Sequence, residues 1–395
     1  MSTPKSASFF TRKNILAFSF FIAFLVVVSV LVTVFFLDIK TGDVKTIINT
    51  INRTNWPWIL LIVLGIVVTL AWNIIINWWV ARRFCFHAPW WEWVLFACVV
   101  QFFQIVTPLS LGQDPFRLYW FIKKGMKKQT AVLLVTSTGA FWNLAQALIT
   151  WPSFFVLSQN YALLEQNHEG FVSYWFSFAG MIFDVVVAIL FIFIAYSKRM
   201  HVLIYSGVNQ FRKWIKRPYL TKEQIYQRFI DKAEFNKLYG LEIKRLGLTI
   251  FKLLANILIA VVGYFSVFAV FAIVKKENAT NNVIDQYSTA DIFNITNIAI
   301  TASNFIPVPS GEGATQFVMT SFLNAFKSAV GIESQVKQGV FLWRFLSVYI
   351  PAILFSLCFI GWVVKVVIEF KHPKPVLPTV NLINHHFWNN KKLHN

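Results

Sequence analysis

The chain has 395 residues, of which 57% are hydrophobic and only 13% are charged. Soluble globular domains carry about 25% charged residues, so this composition excludes an ordinary water-soluble protein. The formal net charge is +19, but basic clusters alternate with segments that lack Lys and Arg, which is typical of a membrane protein with basic cytoplasmic loops. We therefore expect no nucleic-acid partner.

Six apolar runs follow one another along the chain, each long enough to cross about 30 Å of hydrocarbon as a helix. They cover residues 15–37, 57–80, 130–157, 172–197, 247–274 and 338–366. Backbone N–H and C=O groups in lipid need internal partners, so each run should be helical. The first run ends without a small-residue cleavage site, which predicts an uncleaved anchor.

The distribution of basic residues predicts the orientation in the cell membrane. Residues 198–245 form a basic loop and residues 371–395 a basic tail, whereas residues 158–171 contain no Lys or Arg. By the positive-inside rule, the loop and both termini should be cytoplasmic. Within the loop, the sequence TKEQ at 221–224 predicts the start of a surface helix.

Two further apolar segments, residues 90–122 and 291–328, are interrupted by proline and glycine. The interrupting residues are Pro108, Gly112 and Pro115 in the first segment and Pro307, Pro309, Gly311 and Gly313 in the second. If both ends of each segment lie on one side of the membrane, each is a re-entrant hairpin. The alternatives are ordinary transmembrane helices with chance breaks and, for the second, an extramembrane turn with a solvated Glu312.

The broken segments occupy corresponding positions in residues 57–157 and residues 247–366. In each of these two halves, the predicted order is a helix, a broken hairpin and a second helix. Such a pattern indicates an inverted repeat with a substrate site at the breaks, as in transporters. The sequence thus predicts an all-α polytopic membrane protein. It should have about six full transmembrane helices and two re-entrant hairpins, which makes eight or more membrane segments.

Charged residues within the apolar segments are candidates for function because they are costly in hydrocarbon. Asp114 and Arg117 are three residues apart and either pair on one helix face or leave Arg117 to a lipid phosphate. Glu312 could carry a proton or receive a lipid amine. Arg344 could contact substrate, act as a counter-ion or extend to the interface. Asp184 needs a partner from another helix, or it is protonated.

Polar uncharged residues complete the candidate set. Asn73, Asn77, Asn143 and Asn256 are interpreted as hydrogen-bonding residues that join helices rather than as ligands. The candidate substrate-binding residues are Gln104, Asp114, Arg117, Asn304, Glu312, Gln316 and Arg344. The chain has no P-loop and no metal-ligand spacing, so no ATP drive, metal site or cofactor is expected.

Three stretches resemble successive motifs of the flippase-like membrane region of the lysylphosphatidylglycerol synthase family. They are TPLSLGQDPFRLYWFIKKGMKKQTA at 107–131, IPVPSGEGATQF at 306–317 and WRFLSVYIPAI at 343–353. The resemblance spans residues 15–366 and implies a flippase-like domain over residues 1–370. The positions that match its motifs are Asp114, Pro115, Arg117, Pro307, Pro309, Gly311, Gly313, Arg344, Tyr349 and Pro351.

The chain also departs from that pattern. Ser310 stands where the family has glycine, Gln316 stands for an acid that Glu312 could replace, and Phe141, Trp142 and Asn143 stand where an acidic–basic pair is common. Only 29 residues follow residue 366, so we expect no soluble synthase domain.

The resemblance predicts a translocase for a phospholipid or lipid-linked anionic substrate rather than an enzyme. Its partners would be membrane lipids, which we expect to be anionic, and an oligomer is compatible with the sequence. The alternatives are a membrane subunit or intramembrane enzyme for lipid headgroup transfer, and a scaffold that binds partners through the basic loop.

Overall fold

The computed structural model describes residues 27, 56–83, 88–110, 112–126, 128–214, 221, 246–275, 282–325 and 332–371. Among them, five helices are long and apolar enough to cross a membrane: Trp56–Trp79, Thr130–Ser158, His168–Ile194, Ile250–Ile273 and Glu333–Val366. The prediction of an all-α protein with several membrane spans is therefore confirmed. The predicted first helix at 15–37, the capping box at 221–224 beyond its first residue, and the tail after residue 371 lie outside the described residues.

Thirteen α-helices are described. In chain order they are α1 (Trp56–Arg83), α2 (Trp90–Val106), α3 (Gln113–Lys123), α4 (Lys128–Ser158), α5 (Tyr161–Glu165), α6 (His168–Tyr196), α7 (Lys198–Trp214), α8 (Leu246–Ile273), α9 (Val283–Gln286), α10 (Thr289–Ala302), α11 (Ala314–Ala325), α12 (Glu333–Arg344) and α13 (Ile350–Lys371). A π-helical turn, Phe345–Tyr349, joins α12 to α13. Helices α2 and α3 form the first hairpin, and α10 and α11 form the second.

Two boundaries differ from the sequence prediction. Helix α6 begins at His168 rather than at residue 172, because the Asn167 side chain accepts hydrogen bonds from the backbone N–H groups of Glu169 and Gly170 at 3.0 and 3.4 Å. This cap satisfies donors that the first helical turn leaves unpaired. Helix α7 occupies the start of the predicted basic loop, which is therefore partly helical.

The last span is longer than predicted and is not a regular helix. It begins at Glu333, five residues before the predicted residue 338. Gln335 fixes this beginning, since its side chain donates to Asn282 at 3.1 Å and accepts from the Val283 N–H at 3.3 Å. The π-helical turn further along the span is a feature that often marks functional sites.

Polar side chains join α4 to α10 inside the bundle. Thr150 lies 3.3 Å from Asn297 and 3.0 Å from Thr301, and Asn297 donates to Ser153 at 3.2 Å. All four side chains are buried. Hydrogen bonds of this kind hold membrane helices together, where apolar contact alone gives little net drive.

The first hairpin is closed by aromatic packing. The ring centroids of Phe96 and Trp120 lie 4.5 Å apart across α2 and α3, and those of Phe103 and Phe116 lie 5.3 Å apart. Phe102 stacks on Phe359 of α13 at 5.1 Å. The hairpin is therefore packed on itself and against the last helix.

The pairs of helices in contact correspond between the two halves of the chain. Helix α1 packs on α2, α2 on α3, and α3 on α4; likewise α8 packs on α10, α10 on α11, and α11 on α12. Between the halves, α2 packs on α13 just as α10 packs on α4, and α1 packs on α8. Each hairpin thus packs against the closing helix of the other half.

Candidate functional site

The breaks of the two hairpins meet. Pro108 in the first break and Pro309 in the second form an antiparallel backbone bridge. The Ser310 hydroxyl also donates to the Ile105 carbonyl at 3.0 Å. We call residues 107–110 and 112 the first tip and residues 303–313 the second tip. Glu312 in the second tip is only 2% exposed, so the expectation of a solvated Glu312 is wrong.

The two tips share a backbone conformation. In each, a proline is followed by two residues with positive φ: Leu109 at 54° and Ser110 at 55° in the first, Ser310 at 52° and Gly311 at 64° in the second. Residues other than glycine rarely adopt this region, and each costs about 1–3 kcal/mol. The surrounding contacts must therefore hold both tips in shape.

Glycines allow the tips to close on themselves. At Gly112, a Cβ atom would lie 2.5 Å from Thr107 Cγ2, and the Gly112 N–H donates to Thr107 Oγ1 at 2.9 Å. At Gly311, a Cβ atom would lie 2.1 Å from the Ser303 hydroxyl. Gly313 has a φ of 82°. Pro115 lies in the first turn of α3 and Pro307 in the second tip, and both are exposed.

A buried ion pair fixes the second tip to the last span. The Arg344 guanidinium donates through Nε to Glu312 Oε1 at 2.9 Å and through Nη2 to the Ser310 carbonyl at 2.8 Å. Tyr349 donates to Glu312 Oε2 at 3.0 Å, and the Gln316 amide also donates to Glu312. Arg344 immediately precedes the π-helical turn and Tyr349 is its last residue, so Glu312 ties the second tip to both ends of the turn.

Asp114 and Arg117 form the pair that their spacing predicts. Arg117 Nη1 lies 3.4 Å from Asp114 Oδ1. Arg117 is 8% exposed, and its Nε is buried without a hydrogen-bond partner among the described residues. The Nε–H group of this guanidinium therefore has no acceptor among the described residues.

Asp184 receives a partner from another element, as the sequence predicts. The Asn304 amide of the second tip lies 2.9 Å from both carboxylate oxygens of Asp184 on α6. Asp184 is 2% exposed. This contact joins α6, which lies outside the two halves, to the second tip.

A cavity of about 430 Å³ lies beside the meeting tips. Five of the seven predicted substrate-binding residues line it: Gln104, Asp114, Arg117, Asn304 and Arg344. Asp184 lines it too. Glu312 and Gln316 do not line it; they lie behind its wall, where Gln316 accepts from the Gly313 N–H at 2.7 Å. The tips thus bring most of the predicted polar residues together.

Within the described ranges, no hydrogen bond to another helix is seen for the asparagines interpreted as joining helices. Asn73, Asn77 and Asn143 each donate to a backbone carbonyl four residues earlier in their own helix, at 3.0, 2.8 and 2.9 Å. With Asn256 they line the cavity, as do Gln101, Gln146 and Trp142, which sequence reasoning did not single out. Residue type alone does not tell which face of a helix a carboxamide occupies, so the sequence carried no signal for this lining.

Another residue that the sequence analysis missed is Lys252 of α8, which is 1% exposed. Its Nζ donates to the Ser137 hydroxyl of α4 at 3.0 Å and lies 5.6 Å from the centroid of the Phe141 ring. A basic residue near the predicted basic loop would be expected to reach water. Here the ammonium group instead joins α8 to α4.

A cluster of charges, which we call the clamp, joins the open end of the first hairpin to α13. Glu92 accepts from Lys124 at 2.7 Å and from Lys365 at 2.9 Å, and Lys123 donates to Glu369 at 2.9 Å. Burial acts to raise the pKa of Glu369, but the hydrogen bond from Lys123 and the nearby lysine charges outweigh it and lower this pKa. The clamp holds both ends of the hairpin against the last helix.

The chain is similar to known proteins over most of its length. The model of the family described as "Lysylphosphatidylglycerol synthase TM region" matches residues 20–354. The uncharacterized protein MG306 of Mycoplasma genitalium is 72% identical over 386 residues, which covers 97% of this chain and 98% of that protein.

Proposed function

Because the chain belongs to the lysylphosphatidylglycerol synthase transmembrane family, we propose that it is a flippase-like translocase that moves a lipid headgroup across a membrane. One observation carries the proposal: the breaks of two hairpins meet beside a polar cavity inside an otherwise apolar helical bundle. Non-helical backbone at membrane depth is tolerated where protein buries it or where it lines a watery space. A lipid could place its headgroup there while its chains stay in the bilayer.

The outer surface of the bundle suits lipid chains. Leu60 and Leu64 on α1 are 67% and 56% exposed, and Ile353 and Leu357 on α13 are each 62% exposed. Apolar side chains exposed to this degree along whole helices favour contact with hydrocarbon rather than with water. The polar cavity and the apolar exterior together support a path for an amphipathic substrate.

The proposal includes an inverted repeat of residues 57–157 and 247–366. Three observations support it: the corresponding packing pairs of the two halves, the shared backbone of the two tips, and the antiparallel bridge between Pro108 and Pro309. An antiparallel bridge between equivalent residues is the arrangement that a two-fold axis through the bridge would produce. Rocking of one half against the other would then expose the cavity to each side in turn.

The two arginines have different parts in this proposal. Arg117 lines the cavity, and its Nε has no hydrogen-bond partner in the part of the chain that the structure describes. Its planar guanidinium suits a phosphate or other headgroup oxygen. Arg344 also lines the cavity, but its Nε and Nη2 already bind Glu312 and the Ser310 carbonyl. We therefore assign headgroup binding to Arg117 and positioning of the second tip to Arg344.

The basic loop and tail would lie on the cytoplasmic side of the cell membrane, where anionic lipids attract lysine and arginine. This assignment also puts both termini in the cytoplasm. It places the clamp, with Lys123, Lys124 and Lys365, near the same surface, because both ends of the first hairpin lie close to basic segments.

The test is lipid movement in liposomes that contain the purified protein. Fluorescent lipid in the outer leaflet is bleached by dithionite, and transport appears as a change in the protected fraction. Arg117→Ala should lower the rate at least tenfold while the protein keeps its thermal unfolding temperature. The matched control is Arg199→Ala, because Arg199 is exposed on α7 away from the cavity. An unchanged rate in Arg117→Ala would remove the role assigned to this residue.

A further inference from the structure

Carboxamides are the largest polar group in the lining of the cavity. Nine asparagine and glutamine residues line it, together with seven serines and threonines, two aspartates and two arginines. A carboxamide offers both donors and an acceptor, as a hydroxyl group does. A lining of this kind matches a ligand whose surface is a set of hydroxyl groups better than one whose surface is a charge.

The bonding capacity of these carboxamides is only partly used. Asn73, Asn77 and Asn143 each donate one side-chain N–H to a backbone carbonyl of their own helix. Their side-chain oxygens have no hydrogen-bond partner among the described residues. The amide nitrogen of Asn256, a residue only 4% exposed, is buried and without a partner in the described part of the chain. A buried polar group without a partner costs free energy, so the Asn256 amide nitrogen calls for a ligand or water that bonds to it, and the three side-chain oxygens can accept further hydrogen bonds.

The charges on and just behind the cavity wall nearly balance. Arg117 pairs with Asp114 at 3.4 Å, Arg344 pairs with Glu312, and Asp184 adds a further carboxylate. In their ordinary ionised forms, these three carboxylates and two guanidinium groups leave a formal charge of −1. A multiply anionic headgroup would gain no net attraction here.

Aromatic rings lie beside the carboxamides. Trp142 lines the cavity, as do Phe183 and Phe355. Trp142 and Gln146 are four residues apart on α4 and thus share a face of the helix. A pyranose ring presents C–H bonds on its face and hydroxyl groups at its edge, so an aromatic face beside carboxamides fits both surfaces of a sugar. The volume of about 430 Å³ lies within the range of about 300–1,000 Å³ typical of small-ligand sites.

We infer that the cavity binds the glycosyl headgroup of a lipid. The sugar ring would pack on Trp142, and Asn143, Gln146 and Asn256 would bond its hydroxyl groups. Arg117 would bind the oxygen, glycosidic or phosphate, that joins the ring to the lipid. This inference rests on the proposed translocase function and names its substrate class.

The test measures transport and binding separately. For transport, liposomes contain fluorescent monoglucosyl diacylglycerol, phosphatidylglycerol or phosphatidylcholine at equal amounts. The protein should move the glucosyl lipid at least tenfold faster than either phospholipid. Asn143→Leu and Trp142→Ala should each lower the glucosyl-lipid rate about tenfold. The matched control is Asn294→Leu, because Asn294 lies on α10 outside the cavity lining and should leave all three rates unchanged.

For binding, native mass spectrometry of the detergent-solubilised protein records which lipid is retained from an equal mixture of the three. Preferential retention of the glucosyl lipid, lost in Asn143→Leu, supports the inference, and its displacement by excess methyl glucoside would show that the ring is what is recognised. Equal transport and equal retention of all three lipids would overturn the inference and leave the translocase. Selective retention without transport of any lipid would overturn the translocase and leave the headgroup site. Uptake of free sugar in place of lipid would overturn the assignment to a lipid.

Discussion

Pro108 and Pro309 face each other across an antiparallel bridge, which brings together the two places where the membrane hairpins lose their helical structure. Each proline is followed by two residues with positive φ, so the tips match in backbone as well as in position. Since such backbone is held in place by its surroundings, the contacts at the tips should be sensitive to small changes.

Gly311→Ala should destabilise the protein. The added Cβ would lie 2.1 Å from the Ser303 hydroxyl, and alanine would have to adopt a φ of 64°. We expect a loss of about 1–3 kcal/mol from backbone strain, and more from the clash. The unfolding temperature in detergent measures it. In the control Gly361→Ala, the Cβ meets nothing within 4 Å, and we expect no loss. Equal unfolding temperatures for the two variants would contradict the account of the second tip.

Arg344→Met should be more harmful than the double variant Glu312→Leu/Arg344→Met. Removing one member leaves the other as a buried charge without an opposite charge beside it, at a cost of about 3–5 kcal/mol. Replacing both members leaves no buried charge unpaired. Thermal unfolding of both single variants and the double variant completes a double-mutant cycle. If the losses of the two single variants add up to the loss of the double variant, Glu312 and Arg344 are not coupled in the way that their hydrogen bond indicates.

Asn304→Asp should place two carboxylates together, because Asn304 bonds to both oxygens of Asp184 at 2.9 Å. Two carboxyl groups at this distance cannot both ionise without strong repulsion, so the variant should be less stable than the wild type at neutral pH. Its stability should rise again as the pH falls and one carboxylate gains a proton. Unfolding temperatures of variant and wild type between pH 5 and 8 measure the difference.

The reciprocal variant Asp184→Asn/Asn304→Asp is the control for this pair. It restores one carboxylate facing one carboxamide, with the charge moved from α6 to the second tip. Its stability at neutral pH should return most of the way to that of the wild type. A double variant as unstable as Asn304→Asp alone would show that the pair does not interact as described.

Glu92→Gln should weaken the clamp, because Lys124 and Lys365 would keep their positive charges without the carboxylate that lies 2.7 and 2.9 Å from them. The side chains of the two lysines are 29% and 28% exposed, so salt should screen part of the effect. We expect a lower unfolding temperature at 50 mM NaCl and a smaller difference at 1 M. The exposed Glu165 supplies the control Glu165→Gln, which should change neither value.

Local sequence signals predicted much of the architecture. Long apolar runs identified the described spans, and prolines and glycines located both hairpin breaks, because these features depend on the chemistry of neighbouring residues. The spacing of Asp114 and Arg117 predicted their contact for the same reason. The π-helical turn after Arg344 left no such local signal.

Contacts between distant parts of the chain were less accessible. The sequence indicated that Asp184 needs a partner. That this partner is Asn304 depends on how α6 packs against the second tip. Glu312 was predicted to serve a substrate or a proton, yet Arg344, Tyr349 and Gln316 hold it behind the cavity wall. Apart from Gln104 and Asn304, the asparagines and glutamines that line the cavity were not predicted as ligands. Which side of a helix is buried, and what it faces, depends on tertiary packing.

The most direct test of the account is the rate at which purified protein in liposomes moves fluorescent lipid between leaflets. The account predicts movement well above that of protein-free liposomes, lost in Arg117→Ala and retained in Arg199→Ala. A wild-type rate equal to that of protein-free liposomes, with correctly folded protein and a glycosyl lipid among those tested, would contradict the claim that the cavity at the meeting tips carries lipid headgroups across the membrane.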